Sequence, residues 1–404
     1  MQNRYKFSSL YVRDFRIFWF AQLISLSGTW MHSTAQSWLV YLLTKSPLYL
    51  GAIATISSLP ILFFTLIGGM VADRYPKRDI LIVTQAVSII PAFFIAILID
   101  IDMITIWYIG IAAFIIGLVN AFDVPARHAF IGELVGKADI TNAIALNSVA
   151  FNGARIVGPV IAVFIISIAG LQTCFYLNAA SFIPVILALL TIKAKGTGRL
   201  EQVGFLSDLI AGWGFIVREK AILFIMLMIA VFSLFGIPYL TLLPILAGDI
   251  LDVGAHGFST LLACAGLGSL VAALIIAYRK EIDKKSKFLS LSGFTFSSAL
   301  FGLAISNDFY LSCILITMVG WGITSFLATS NSYIQHSVPD LLRGRVMSFY
   351  TLVFLGFLPL GNALTGFAAD MFGTMNVLRV FSLFCLFCSI IFALKLSSVK
   401  RSDI

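Results

Sequence analysis

The chain has 404 residues, 60% of them hydrophobic and 11% charged, with a formal net charge of +8 and a mean hydropathy of +1.00. A soluble globular domain carries roughly 25% charged residues, so this composition excludes a soluble fold of this size. Twelve bilayer helices of about 20 residues occupy roughly 240 positions, close to 60% of 404, which predicts an all-α membrane protein of twelve transmembrane helices with short loops.

In chain order, the apolar runs of membrane length are 15–43, 48–71, 80–99, 103–122, 143–166 and 174–192, then 221–246, 258–278, 288–305, 309–328, 346–368 and 377–396. The first is far longer than the apolar core of a signal peptide and is expected to be retained as a spanning helix. Twelve spans place both termini on one side. With that side as the cytoplasm of a cell (inner) membrane, every one of the 27 lysines and arginines falls in a cytoplasmic arm or loop, or at the cytoplasmic end of a run, except Lys45, Arg155 and Arg379. The positive-inside rule therefore accounts for the basic charge, and no nucleic-acid partner is needed to explain it. Five cysteines, mostly inside apolar runs, argue against a disulfide framework. Cys385 and Cys388 have no His or carboxylate beside them and read as packed or lipid-facing. No metal and no cofactor is expected.

The two halves read as copies. Arg13 and Arg218 precede the first and seventh runs, and Arg74 and Arg279 follow the second and eighth, both pairs offset by 205 positions; Pro159 and Pro359 are offset by 200. Parallel six-helix repeats suit a substrate path between two rocking halves. The expected organisation is a bundle over 1–192, a linker over 193–220 and a second bundle over 221–404. In the linker, Phe205, Leu206, Leu209, Ile210, Trp213, Ile216 and Val217 recur at helical spacing, which predicts an interfacial amphipathic helix.

After the second run stands Gly69-Met-Val-Ala-Asp73-Arg74-Tyr-Pro-Lys77-Arg78. It resembles the cytoplasmic signature of the major facilitator superfamily, and it sits where that family carries it. The resemblance implies that a small residue lets two helices approach and that the Asp-Arg pair belongs to an inner gate. Pro76 replaces a glycine of the general pattern and stiffens the turn. In the second half, Ala277-Tyr278-Arg279-Lys280 has lost the acid. By charge alone, Asp73 favours a helix N-terminus, and Arg74, Lys77 or Arg78 can pair with a nearby carboxylate, or the basic residues only fix topology. Asp123, at the end of the fourth run, is the expected partner, or else a direct proton carrier. Ala121-Phe-Asp123-Val-Pro125-Ala-Arg127, Phe130-Ile-Gly-Glu133, Asn142-Ala-Ile-Ala-Leu-Asn147 and Pro339-Asp340-Leu-Leu-Arg343-Gly344-Arg345 resemble the branch containing the enterobactin exporter and macrolide efflux pumps.

The fifth run contains Asn152-Gly153-Ala-Arg155-Ile-Val-Gly158-Pro159. Gly158-Pro159 is expected to bend the helix, which membranes tolerate where protein or water satisfies the backbone. The family's antiporter motif has further glycines where this chain has Ala145, Ala154 and Ala162. Arg155 lies about 18 Å along the helix from Ala143, beyond the middle of a core of roughly 30 Å. A guanidinium there costs about 2.5–3.5 kcal/mol, so it faces a cavity and its cargo, or makes a structural interhelical bond. On the first run, Ser25, Thr29, His32 and Gln36 form a polar stripe about 60° wide. His32, with an unperturbed pKa of about 6.5, is a proton carrier, a substrate contact or interhelical glue. Trp38, Tyr239 and Trp321 either fill the bundle or stack on cargo; Asn147, Asn178 and Asn362 either donate to a cavity or bond between helices.

His128 with Glu133, and His336 with Asp340, have loose acid-base spacings but no supporting nucleophile, metal or phosphate cradle, so no enzyme is expected. No phosphate-binding loop of the G-x4-G-K-[ST] type occurs. The resulting expectation is a secondary-active exporter of amphipathic, drug-like small molecules, monomeric in the bilayer and working by alternating access with protons returning inward. An exporter of an endogenous siderophore is the near alternative, and a non-transporting scaffold or sensor the remote one. Asp73, Arg74, Lys77, Arg78, Asp123 and Arg127, with Gly69, are assigned to the cytoplasmic gate; His32, Gln36, Asn152 and Arg155 to the substrate and proton path.

Overall fold

A computed structural model describes residues 8–192, 213–278 and 285–402. Among these there is no strand, and eleven helices are long and apolar enough to cross a membrane. They are α2 (Pro47–Arg74), α3 (Lys77–Asp100), α4 (Ile106–Gly136), α5 (Asp139–Ala169), α6 (Leu171–Thr191), α7 (Lys220–Ile250), α8 (Gly254–Tyr278), α9 (Lys285–Ile305), α10 (Phe309–Ser337), α11 (Asp340–Phe372) and α12 (Thr374–Ser402). The twelfth long helix is α1 (Arg13–Thr44), whose apolar content is diluted by the polar stripe seen in the sequence. Most of the linker expected at 193–220 lies outside the described residues. Its last part is helical at 213–218, where Ile216 is buried and Trp213 lies against Phe349, ring centroids 5.8 Å apart.

Local chemistry sets the helix ends. Gly136 separates α4 from α5 at φ +69°, a left-handed conformation that a Cβ would strain. Asp308 caps α10 by accepting the Leu311 N–H at 2.7 Å, which satisfies one of the helix's unpaired donors. In α7, Pro238 brings no N–H and its ring displaces the carbonyl one turn back. The helix widens there into a π-turn over Phe232–Gly236, closed by the Ile237 N–H on the Phe232 carbonyl at 2.7 Å.

Packing divides the chain into two units, residues 1–44 with 56–201 and residues 45–55 with 202–404. In the first, α1 packs against α5 and α6, and α3 against α4 and α6. Its core holds Phe15, Phe18, Leu81, Phe130 and Leu189. Phe18 and Phe130 meet edge to face at 5.5 Å, worth about 0.5–1.5 kcal/mol beyond the area buried. A short turn, Ser8–Tyr11, is clasped to the start of α5: Ser8 Oγ donates to Asp139 Oδ1 at 2.6 Å, and the Ser9 N–H donates to Asn142 Oδ1 at 3.1 Å.

In the second unit, α8 packs on α10, and α9 on α10 and α12. Phe232 stacks edge-on with Phe296 and Phe326, and Phe326 in turn with Phe392. Ser297 and Ser389 share a buried hydroxyl bond of 2.8 Å across α9 and α12. Residues 45–55 also belong to this unit: Gly51 lies where an added Cβ would come within 2.7 Å of Gly366 Cα, and Thr55 Oγ1 donates to the Pro359 carbonyl at 3.1 Å.

The same contact recurs in both units. A Cβ on Gly68 would sit 2.1 Å from the Ala121 carbonyl oxygen, and one on Gly117 2.2 Å from that of Ser57. In the second unit, a Cβ on Gly268 would sit 1.9 Å from the Thr317 oxygen and one on Gly320 2.1 Å from the Ala265 oxygen. Thus α2 meets α4 as α8 meets α10, backbone to backbone. Without a hydrophobic drive between helices in lipid, such close van der Waals approach is what holds them.

Candidate functional site

The polar stripe of α1 meets two neighbours. Ser25 is buried and its Oγ donates to Gln85 Oε1 of α3 at 3.5 Å. His32 is buried against Phe175 of α6, ring centroids 4.8 Å apart and edge to face. Its Nε2 lies 3.2 Å from Gln36 Oε1, while its Nδ1 is buried with no hydrogen-bond partner. Gln22, one turn before Ser25, is also buried with neither end of its amide bonded.

Asp123 differs from the sequence expectation in both depth and partner. The apolar run ends at Phe122, but α4 continues to Gly136, so Asp123 stands in mid-helix and is 1% exposed. A charged side chain ends an apolar run without ending a helix whose buried face continues through Ala126, Phe130 and Leu134. Its carboxylate is bonded within the first unit: Oδ2 accepts from Thr84 Oγ1 at 2.7 Å and Gln85 Nε2 at 2.8 Å, and Oδ1 takes the Arg127 guanidinium one turn on. The carboxylate that meets the basic cluster is Glu133, whose Oε1 lies 2.8 Å from the buried Lys77 Nζ. Arg78 reaches Asp79 and donates to the Ile192 carbonyl at 3.1 Å. Asp73 and Arg74 are exposed at the end of α2. Nothing lies within 4 Å of a Cβ on Gly69; the small residue that admits α4 is its neighbour Gly68, because about 100° of helical phase turns Gly69 away.

On α5, Arg155 is half-buried with its guanidinium carbon 5.6 Å from the Trp30 ring centroid. Phe151 meets the same indole edge to face at 5.6 Å. Asn152 donates to the Ser148 carbonyl at 2.8 Å. Gly158 lies where a Cβ would be 2.4 Å from Trp30 Cβ, so it serves a close approach of α5 to α1. Through Pro159, α5 keeps helical backbone angles. Trp30 and His32 are about 200° apart around α1. Arg155 therefore joins Trp30 on one side of the helix and His32 joins Phe175 on the other, and the structure does not bring the two together.

Several remaining candidates are bonded within their units. Asn362 accepts from Thr241 Oγ1 at 3.2 Å between α11 and α7, and Asn178 is buried beside Gly28 of α1. Trp38 and Tyr239 are buried, Trp321 lies 6.0 Å from Phe288 by ring centroids, and Asn147 is half-buried. His336 Nδ1 lies 2.7 Å from the Ser332 carbonyl. All five cysteines are free. Thr84 and Gln85 went unremarked in the sequence, although two adjacent polar residues inside an apolar run are themselves a signal that something must satisfy them.

This geometry is set on a fold known from solved transporters. A bacterial homologue of the human lysosomal transporter Spinster, in an inward-facing conformation, superposes with a TM-score of 0.74 at 11% identity, over 97% of this chain and 98% of that one. The staphyloferrin A transporter of Staphylococcus aureus (strain NCTC 8325 / PS 47) is 27% identical over 91% of this chain and 92% of its own length. Macrolide efflux protein A of Streptococcus pyogenes is 20% identical over 96% of this chain and 97% of its own. The model of a family described as transmembrane secretion effectors matches residues 5–404. The chain belongs to that family, as a multi-pass membrane transporter of the drug and siderophore exporter branch of the major facilitator superfamily.

Proposed function

We propose that the protein is a secondary-active exporter of amphipathic small molecules, in which the six-helix halves 1–192 and 221–404 alternate access across a cell membrane while protons return inward. Both termini lie in the cytoplasm in this reading, as the distribution of lysine and arginine supports. The observation that carries it is Arg155: a half-buried guanidinium deep along α5, over Trp30 and beside Phe151. One surface thereby offers aromatic faces to an apolar body and a cation to an anionic group. Asn152 stands one turn away on the same helix. Asp73, Arg74, Lys77, Arg78, Asp123 and Arg127 make the cytoplasmic gate, with the Lys77–Glu133 pair as its buried tie.

In this reading Asp123 or His32 carries the proton. Asp123 is a buried carboxylate held by two neutral donors and one cation. His32 has an unoccupied ring nitrogen in a buried site. The experiment is accumulation of a macrolide, a lipophilic cation, and catecholate and hydroxamate siderophores in everted membrane vesicles, with and without a protonophore. Protonophore-sensitive uptake of at least one compound, reduced tenfold or more by Arg155→Gln, is expected. Uptake indifferent to the protonophore would overturn proton coupling, and full activity of Arg155→Gln would overturn the assignment of the cation.

A second reading, export of a siderophore, is favoured by the likeness to the staphyloferrin A transporter over nine-tenths of both chains. An iron chelator with anionic donor groups would meet Arg155 directly. In that case the siderophores accumulate and the lipophilic cation does not.

A further inference from the structure

Near one end of the seam between α8 and α10, two thiols face each other. A Cβ on Gly257 would lie 3.4 Å from the Phe309 ring, and one on Gly268 1.9 Å from the Thr317 oxygen, so the two helices run side by side in one direction. Cys264 stands four residues before Gly268 and Cys313 four before Thr317, one turn up from the contact on each helix. Both are half-buried, and their side chains share a hydrogen bond. A disulfide needs Cα atoms about 4.4–6.8 Å apart, and a seam in backbone contact brings facing positions into that range. No group of three or more His, Cys, Asp or Glu that could hold a metal ion occurs among the described residues, and two thiols alone are fewer ligands than a structural zinc takes. The chemistry left to the pair is that of a dithiol.

We propose that Cys264 and Cys313 are a modification site, oxidised to a disulfide between α8 and α10 by an apolar organic disulfide that reaches the seam through lipid. One thiol attacks a sulfur of the reagent and forms a mixed disulfide; the reagent's S–S bond breaks, and the first leaving group departs with the thiol's proton. The second thiol attacks the mixed disulfide at the cysteine sulfur, the bond to the reagent breaks, and the second leaving group takes the second proton. Two cysteine thiols are oxidised, and one organic disulfide is reduced to two thiols. The place of the cysteines within apolar runs speaks against a disulfide framework built during folding, and all five are free. A single link made afterwards needs only that two thiols already meet. It closes the stretch of chain that contains α9, which restricts the unfolded state. In the proposed orientation this end of the seam lies on the outer, oxidising side, but the bond depends neither on that orientation nor on transport.

The full chain, purified in detergent and freed of reductant, is treated with dithiodipyridine, an apolar aromatic disulfide whose pyridine nitrogen accepts the proton. After removal of the reagent, the remaining thiols are alkylated at once in denaturant, and peptides are mapped by mass spectrometry. The peptides carrying Cys264 and Cys313 are expected to be linked to each other, lighter than the unlinked pair by the two hydrogens lost. The treated protein should melt at a higher temperature than the untreated one and return to the lower value after dithiothreitol. Cys264→Ser should abolish both the link and the rise, with Cys313 recovered alkylated or as its thiopyridyl adduct. Cys264 and Cys313 recovered unlinked from wild-type protein that elutes as a single folded species, whether alkylated or each carrying a thiopyridyl group, would overturn the proposal. So would a link from Cys313 to Cys388, or to a second chain, in place of Cys264. Because detergent has no leaflets and no cargo is present, failure here is separable from failure of the orientation and of the exporter reading.

Discussion

Two adjacent glycines on α2 carry opposite expectations. A side chain on Gly68 collides with the Ala121 backbone, whereas one on Gly69 meets nothing within 4 Å. Gly68→Val should cost about 1–3 kcal/mol through forced separation of α2 and α4, and Gly69→Val should be close to neutral; thermal unfolding of the purified variants measures both. The sequence motif drew attention to Gly69 because the family pattern is written there, while the contact depends on helical phase, which no motif states. Asp123 is a similar case. Its charge was visible and its burial was not, because an apolar-run count stops at the first charge. Asp123→Asn removes the charge that balances Arg127, a group only 16% exposed, and should destabilise the first unit by about 3–5 kcal/mol. Arg127→Gln in the same chain should restore part of that loss, and a double variant no more stable than Asp123→Asn would show that the pair is not coupled.

At the scale of helices, the sequence was most informative where the pattern is long and repeated. The apolar runs located the twelve long helices found among the described residues, because the bilayer imposes one length on each. It was least informative where a helix passes beyond the apolar core, as α4 does from Val124 to Gly136 and α11 does before Val346. The π-turn of α7 over Phe232–Gly236 was also illegible, because a run of apolar residues states length and not the hydrogen-bonding register of the helix. The widened turn presents the Ser233 and Leu234 carbonyls to α11, where a Cβ on Gly361 would be 2.4 Å from the Ser233 oxygen and 2.9 Å from the Leu234 oxygen. Gly361→Leu should therefore separate α7 from α11. It is expected to lower the melting temperature and to raise the rate at which a thiol reagent labels the buried Cys385, which lies 3.6 Å from a Cβ on Gly236 in the same turn. An unchanged labelling rate would mean that the π-turn does not depend on this contact.

For the whole molecule, coupling and exchange are separable. In the proposed mechanism the carrier of protons is needed to accumulate cargo but not to exchange it. Where its lost stability still leaves folded protein in the membrane, Asp123→Asn should keep some exchange of labelled for unlabelled cargo in vesicles and lose protonophore-sensitive accumulation. If His32→Ala shows that phenotype and Asp123→Asn does not, the proton travels by the histidine. The sequence reading assigned His32 and Arg155 to one path, whereas His32 and the Trp30 ring that Arg155 covers lie about 200° apart around α1, which is why the two functions are testable one at a time.

The clasp between the Ser8–Tyr11 turn and the start of α5 also constrains how the protein is made. Ser8 and its partner Asp139 are separated by 131 positions. At about 5–20 residues per second, a ribosome needs roughly 7–26 s to supply the second half of that contact. For that interval the helices already threaded into the bilayer must wait with the N-terminal turn undocked, so the first unit closes late in its own synthesis, after α5 has emerged.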